Sequence, residues 1–572
     1  MKLNGAQILC ECLVREGVEV IFGFPGGSVL GLYDVLPQYP QLRHILVRHE
    51  QGAAHAADAY ARVTGKVGVC IATSGPGACN LVTGIANAHL DSSPVVAITG
   101  QVARPFIGKD AFQEVDITGI TVPITKHSYL VLKADEMATV VREAFHIAST
   151  GRPGPVLLDI PRDVFIEEAN FTYPEKVELP GYRPTIKGHP AQIKKAAKTI
   201  NESKKPVILA GRGVLISDAH KELLELAEKA HIPVITTLLG ISSFPEDHDL
   251  SLGMLGMHGM AYANLAVDAS DLLIAIGMRF DDRATGKVSG FAPNAQIIHI
   301  DVDPAEIGKN VHVNVPIVGE VKNVLRVLNK AVESQERRDW LAQVRKWRKE
   351  HASDVIRQTS KLIPQYVVSQ ICEVTGGDAI VCTGVGQNQM WAALHFCYRK
   401  PNSLVSSGGL GTMGFELPAA MGAKVGRPDE TVWAIAGDGG IQMTIQELAT
   451  LVQDNIAVKI AILNNGFLGM VRQWQELFYE RRYVATPLTS PDFVKVAGAY
   501  GIPAARVTTK AQVTPAIKKA MKHDGPYLID FRVEPEENVY PMVAPGSTLA
   551  QIIEDPNKKV VPKAKPKETS NL

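Results

Sequence analysis

Two stretches decide how this chain folds: AIAGDGGIQMTIQEL at residues 434–448 and VKIAILNNGFLGM at residues 458–470. Each opens as an apolar, β-rich run and ends in a polar turn, Gly437-Asp438-Gly439 in the first and Asn464-Asn465 in the second. A helical segment between them makes the two runs neighbouring strands of a parallel sheet. Their polar ends then share its carboxyl edge, where open α/β sheets bind ligands. The glycines let a ligand approach the backbone. One carboxylate (Asp438), one amide oxygen (Asn465) and a backbone carbonyl form a hard oxygen set suited to Mg²⁺, completed by phosphate oxygens and water.

Working outward, the same alternation of short strands and helices runs through the chain. At 572 residues it exceeds the span of one hydrophobic core, about 250–300 residues, so several domains are expected. Residues 1–180 carry the runs VEVIFGF, HILV, GVCIAT, PVVAITG and PVLLDI, and a Pro- and Gly-rich linker follows. Residues 190–345 carry PVILAG, PVITT, DLLIAIG and QIIHIDVD. After a charged helical stretch, residues 365–540 carry AIVCTG, TVWAIAG, VKIAILNN and YLIDFRV. The expectation is an α/β chain of three consecutive doubly wound parallel-sheet domains, with a C-terminal arm at 541–572 whose Lys- and Pro-rich end is disordered. A Gly-rich turn, a small-residue helix and a strand ending in Gly recur in the first and third blocks, a hint of duplication.

Composition excludes several classes. Lys+Arg equals Asp+Glu, 59 against 59, which leaves no basic excess for nucleic acid or an anionic membrane. No apolar run approaches the roughly 18 residues of a membrane span. The seven cysteines contain no C-x-x-C pair, so neither a disulfide framework nor a thiolate metal site is indicated, and a cytoplasmic setting is expected. Two motifs fail on inspection. GLGTMG at 409–414 fits G-x-G-x-x-G but lacks the acidic residue at a strand end about 20 residues on. No Gly-Lys pair, at Gly65, Gly108, Gly286 or Gly308, is followed by Ser or Thr, so there is no Walker A loop.

Glu50, in RHEQGAAHAADAYAR, stands between an apolar run and a helix built of alanine and glycine. H-E-x-x-H zinc chemistry is excluded because position 53 is Ala53. An acid favouring the helix dipole survives as the plain structural reading.

In combination, GDG and NN at this spacing form the thiamine diphosphate motif, and the chain resembles the catalytic subunits of the acetohydroxyacid synthase (acetolactate synthase) family. The resemblance extends over residues 1–550 through FGFPGG, SGPGACNLVTGIANA, DAFQEVDITGITVPITKH, GRPGPVLLDIP, GMLGMHG, MRFDDRATG, TGVGQNQMWAA and GMVRQWQELFYERRY. It implies thiamine diphosphate, Mg²⁺ and a FAD that is not reduced in turnover. Pyruvate and 2-oxobutyrate are the implied substrates. It further implies a homodimer or dimer of dimers with active sites at the subunit interface, and a small regulatory subunit is a possible partner.

Residue by residue, the resemblance makes Glu50 the group that protonates the cofactor's aminopyrimidine so that its imine can take the thiazolium proton. The small residues around it would let another subunit's cofactor domain pack closely, and apolar neighbours would keep its carboxyl group able to hold a proton. Met413 matches the wedge that keeps the cofactor bent. Gly27 and Gln113 match polar groups at the reacting centre. Gln387, Asn388, Gly439, Gly440 and Phe467 match cofactor contacts, with Asp438, Asn465 and Phe467 on the metal. Arg152, His258, Gly259, Arg279, Asp301 and Glu320 match flavin contacts, and Phe112, Met257, Arg283 and Trp474 substrate contacts. Met470 and Trp474 share one helical face, which the resemblance places over the acceptor pocket. The chain departs from the family pattern at Ala103 and Arg162, where proline and lysine are expected, and both lie near the substrate channel in the resemblance. A pyruvate oxidase, a simple decarboxylase and a non-catalytic homologue are the rival readings.

Overall fold

The computed structural model describes residues 1–557, so residues 558–572 of the tail expected to be disordered lie outside the described residues. Three six-stranded sheets carry the fold, and every strand pairing within them is parallel. The first comprises Val20–Gly23, Arg43–Leu46, Gly68–Ala72, Val95–Gln101, His127–Leu130 and Val156–Pro161. Counted along the chain, their order across the sheet is 2-1-3-4-6-5. The third comprises Ile380–Thr383, Leu404–Ser406, Val432–Gly437, Val458–Asn464, Ala504–Val507 and Tyr527–Arg532, in the same order. Between them lie Pro206–Ala210, Val234–Thr236, Ser251–Met254, Leu272–Ile276, Gln296–Asp301 and Val315–Val318, ordered 3-2-1-4-5-6. The echo of Gly-rich turns in the first and third blocks is thus matched by a shared strand order.

The central strands are buried along their length because helices cover both faces, which is why they read as unbroken Val/Ile/Leu runs. Val432–Gly437 and Val458–Asn464 pair in register up to Gly437 opposite Leu463. That register brings Asp438 and Asn465 to adjacent strand ends. In each sheet the chain leaves a central gap in opposite directions, between strands 1 and 3 in the outer two and between strands 1 and 4 in the middle one. Open α/β sheets hold ligands at such gaps.

The helix Glu50–Thr64 starts at an extended His49, whose ring accepts a hydrogen bond from the Gln51 N–H, and ends at Gly65 with φ +73°. Its small residues permit close helix packing: a Cβ on Gly422 would lie 2.0 Å from the Ala56 carbonyl oxygen. The element received there is the chain's own helix Glu416–Gly426. Small residues on this face therefore serve packing between the first and third domains of one chain.

Candidate active site

At the switch gap of the third sheet, three turns meet. The helix Gln387–His395 begins at Gly386, and no side chain caps its first N–H groups, an arrangement that suits an anion. The Asn388 amide lies beside Gly386 and Gly437 and donates 2.9 Å to the Ile435 carbonyl. Gln387 donates to the Gln473 side chain at 2.9 Å and accepts from Asn465 at 3.2 Å. Asp438 is buried and accepts 2.8 Å from the Ser490 hydroxyl. Burial pushes its pKa up, opposed by that hydroxyl and by the Asn465 and Gly466 backbone N–H groups. A divalent cation fits such a buried carboxylate. Among the described residues no group of three or more His, Cys, Asp or Glu is arranged to hold a metal ion, so a cation here would draw on other oxygens, such as those of a bound phosphate, besides this carboxylate. The Asn465 oxygen accepts from the Phe467 N–H at 3.1 Å in the same turn. Met413 is half-buried, its Cε 3.6 Å from the position of a Cβ on Gly439, and Gly440 abuts the Glu416 carboxyl group.

In the first domain Glu50 is buried, and its Oε2 accepts 2.9 Å from the Asn80 amide. An apolar surrounding was expected; the structure gives this carboxylate a polar partner that sequence reading missed. From the third domain, Glu447 accepts the backbone N–H groups of Arg48 and His49 at the entrance to the same helix. Gly27 opens a 3₁₀ turn, and a Cβ there would meet nothing of this chain within 4 Å. Phe112 is 89% exposed, and Gln113, at φ +60°, packs its backbone on Gly75.

A cavity of about 1360 Å³ opens where the three domains meet. That exceeds the usual 300–1,000 Å³ of a small-molecule pocket and suits a dinucleotide beside a substrate. It lies at the switch gap of the middle sheet, where Gly211, Gly213 and Gly277 bring backbones so close that a Cβ on Gly211 would sit 2.1 Å from the Gly277 oxygen. Arg152, His258, Arg279, Asp301 and Glu320 line it. Gly259, next to His258, packs against the Leu255–Gly256 backbone. Buried His258 has an Nδ1 without a hydrogen-bond partner, and burial brings its pKa down to about 4. Arg152 is paired with Asp303 at 3.2 Å and Glu306 at 2.8 Å on this wall, and burial, then Arg152, Arg279 and Lys126, lower the pKa of His89. Burial pushes Asp301 up to about 6.

The same cavity gathers Met257, Arg283 and Trp474, with Met470 and Val471 on the Gly469–Phe478 helix. The Arg283 guanidinium stands 5.9 Å from the Trp474 ring and 3.7 Å from the Met257 sulfur. Trp474 is half-buried in the cavity wall rather than in the core. Gly386 also lines the cavity, joining it to the Asp438 turn, whereas Glu50, Gly27, Phe112 and Gln113 do not. The residues expected at the reacting centre therefore fall in two groups, one lining the cavity and one away from it. Of the two departures, Ala103 is buried at the start of a short turn and Arg162 is exposed.

Comparisons with known proteins agree with this geometry. Residues 3–120 match the N-terminal TPP binding domain of thiamine pyrophosphate enzymes, residues 193–328 their central domain and residues 384–531 their C-terminal TPP binding domain. The chain is 53% identical over 564 residues to the acetolactate synthase of Mycobacterium bovis, covering 96% of this chain and 91% of the relative. It is 51% identical to the acetolactate synthase large subunit of Corynebacterium glutamicum, covering 96% and 90%. It is also 51% identical to a probable acetolactate synthase large subunit of Methanocaldococcus jannaschii, covering 96% and 95%. With three domain matches and half-identity over nearly its whole length, the chain belongs to the acetolactate synthase large-subunit family of thiamine pyrophosphate enzymes.

Proposed function

We propose that this chain is the catalytic subunit of an acetolactate synthase. It is a transferase that decarboxylates pyruvate and joins the retained two-carbon unit to a second 2-oxo acid. Pyruvate as acceptor gives 2-acetolactate and 2-oxobutyrate gives 2-aceto-2-hydroxybutyrate, on the route to valine, leucine and isoleucine. The observation that carries the reading is the meeting of Arg283, Met257 and Trp474 with the Gly386 turn in one cavity. When bound, thiamine diphosphate supplies the electron sink for breaking and making the carbon–carbon bonds.

The chain's own residues bind, orient and move protons. Asp438, Asn465 and the Phe467 carbonyl would hold Mg²⁺, and the start of the Gln387–His395 helix with Asn388, Gly439 and Gly440 would hold the diphosphate. Met413 would keep the cofactor bent. Glu50, held by Asn80, would give and retake a proton at the pyrimidine nitrogen. The Gly27 N–H and the Gln113 amide would orient the substrate oxygen, with Phe112 closing over it. Arg283 would pair the acceptor's carboxylate and Trp474 pack against its alkyl end. FAD would lie along Arg152, His258, Arg279, Asp301 and Glu320 without being reduced, because carboligation has no net redox change.

That Glu50, Gly27, Phe112 and Gln113 lie away from the cavity supports a homodimer, alone or paired into a dimer of dimers, in which the first domain of one chain faces the third domain of its partner. The exposed Phe112 and the open space at Gly27 belong to that face. A small regulatory subunit is proposed because relatives bear the name large subunit. No helix among the described residues is long and apolar enough to cross a membrane. All seven cysteines are free, which supports a reducing, cytoplasmic setting. The test is anaerobic incubation with pyruvate, thiamine diphosphate, Mg²⁺ and FAD, with products read by NMR. Acetolactate with an intact oxidised flavin band is expected. Acetaldehyde alone, or acetate with a bleached flavin, would overturn the reading.

A further inference from the structure

Four charged side chains given no role above converge where the three domains meet. Arg62 grips Asp58 through Nε at 2.7 Å and Nη2 at 2.8 Å, and reaches Asp91 at 2.9 Å. From the middle domain, Arg212 donates to the Asp91 carbonyl and, at 2.9 Å, to the Ser93 hydroxyl. Asp58, Asp91 and Arg62 are buried, and with Arg212 the two carboxylates and two guanidiniums balance. Removing one charge would leave the others uncompensated away from water.

The third domain enters this cluster through its backbone. Asp91 accepts the N–H groups of Gly408 at 3.1 Å and Gly409 at 2.6 Å. Arg62 donates 2.7 Å to the Ser406 carbonyl. Asn87 donates to Asp58 at 2.7 Å and accepts the Ser407 hydroxyl at 2.6 Å, while the Ser407 oxygen accepts the Thr412 N–H at 2.8 Å. The loop from Ser407 to Thr412 is thereby tied at both ends. Its Gly408–Gly411 segment lines the large cavity, and the next residue after Thr412 is Met413. The loop is also tightly seated: a Cβ on Gly408 would lie 2.6 Å from Leu239 Cγ, and one on Gly409 2.8 Å from Leu90 Cβ.

The turn bearing Asp91 faces the cavity too. Leu90, Asp91 and Ser92 line it, and the Ser92 hydroxyl accepts 2.9 Å from Arg152. A ligand that orders Arg152 and Arg212 therefore acts on the turn whose carboxylate holds the Met413 loop. We propose that Asp91 is a positioning residue that couples occupancy of the three-domain cavity by a flavin dinucleotide to the placement of Met413, and so to thiamine diphosphate binding. This rests on the flavin and cofactor reading given above. It assigns the redox-inert flavin a task, setting the loop that supports the reactive cofactor.

The test measures coupling rather than activity. Thiamine diphosphate with Mg²⁺ is titrated into the full-length apoprotein by calorimetry, with and without FAD. Wild type is expected to bind it at least about tenfold more tightly with FAD, within the usual range of coupling between sites. Asp91→Asn is expected to bind each ligand alone, yet to show coupling below about threefold. Deuterium exchange on wild type is the second arm: FAD should slow exchange of residues 405–414, and this arm decides alone if the variant does not fold. Unchanged coupling in Asp91→Asn, or exchange at 405–414 indifferent to bound FAD, would overturn the proposal. Failure of FAD to bind at all would instead overturn the flavin reading, and this inference with it.

Discussion

Gly26 and Gly27 are adjacent glycines whose replacement by alanine should have opposite consequences. The turn that holds them is fixed by Ser28, whose hydroxyl lies 2.9 Å from the Thr73 hydroxyl and accepts 2.9 Å from the Ser74 N–H. A Cβ on Gly26 would sit 2.5 Å from Thr73 Cβ and 2.6 Å from its Cγ2, an overlap that must displace the third strand's end. Over-packing of this kind costs about 1–3 kcal/mol. A Cβ on Gly27 would meet nothing within 4 Å, and no positive φ demands glycine there. Gly27→Ala should leave stability within about 1 kcal/mol of wild type, with any gain coming from the less flexible unfolded chain. Its effect should fall on catalysis if, as proposed, the open space belongs to the reacting centre. Displacing a reactant by about 1 Å costs on the order of 10²-fold, or about 2.7 kcal/mol in the barrier. Denaturant melts of the apoproteins and acetolactate formation rates separate the two effects. Full activity in Gly27→Ala, or destabilisation equal to that of Gly26→Ala, would refute the reasoning.

Three further outcomes are expected. Trp474→Leu should consume pyruvate but lose preference for 2-oxobutyrate, since one methylene in a matched pocket is worth roughly 1–3 kcal/mol; a competition assay scoring both products checks this, and a retained preference makes Trp474 merely structural. Asp438→Ala removes the one carboxylate of the proposed metal set, so Mg²⁺-dependent thiamine diphosphate affinity should collapse in calorimetric titration, and an unchanged affinity excludes the ligand role. Asp159, buried and accepting from Thr99 and Gln101, is pushed by burial from 3.8 up to about 6. The native state then binds more protons at this group than the unfolded chain between those values, so the contribution of Asp159 to stability is fully present below pH ~4 and is lost as pH rises to ~6, by up to about 3 kcal/mol. Denaturant melts of Asp159→Asn should lack that decline; an identical pH slope in both proteins contradicts the assignment.

The strands of the three large sheets that sequence reading missed are all edge strands, and of the edge strands only Arg43–Leu46, with its HILV run, was found. His127–Leu130, Ser251–Met254, Val315–Val318, Leu404–Ser406 and Ala504–Val507 escaped notice, and each lies at the edge of its sheet. Edge strands here are three or four residues long and partly exposed, so they lack the apolar run that marks a strand buried on both faces. The Asp438–Asn465 pairing was legible because two neighbouring strands carry it within thirty residues of sequence. The partners of Glu50 were not: Asn80 and Glu447 are brought in by helix and domain packing, and neither sits in a motif. Gly211-Arg212-Gly213 directly after the strand Pro206–Ala210 was a signal available in the sequence, a Gly-flanked cation at a strand end. The Asp58–Arg62 spacing of four on a helix hinted at an ion pair, yet Asp91, which ties that pair to the Gly408 loop, is a contact between distant segments.

Proton exchange at C2 of the bound cofactor tests the central claim most directly. In wild type with thiamine diphosphate and Mg²⁺, rapid-quench NMR should show fast exchange of the C2 proton for deuterium. Glu50→Gln should bind the cofactor with little change, because that side chain anchors neither phosphate nor metal, and exchange should slow by about 10²- to 10⁴-fold. An exchange rate unchanged by the substitution, with cofactor bound, would contradict the role of Glu50 and the account built on it.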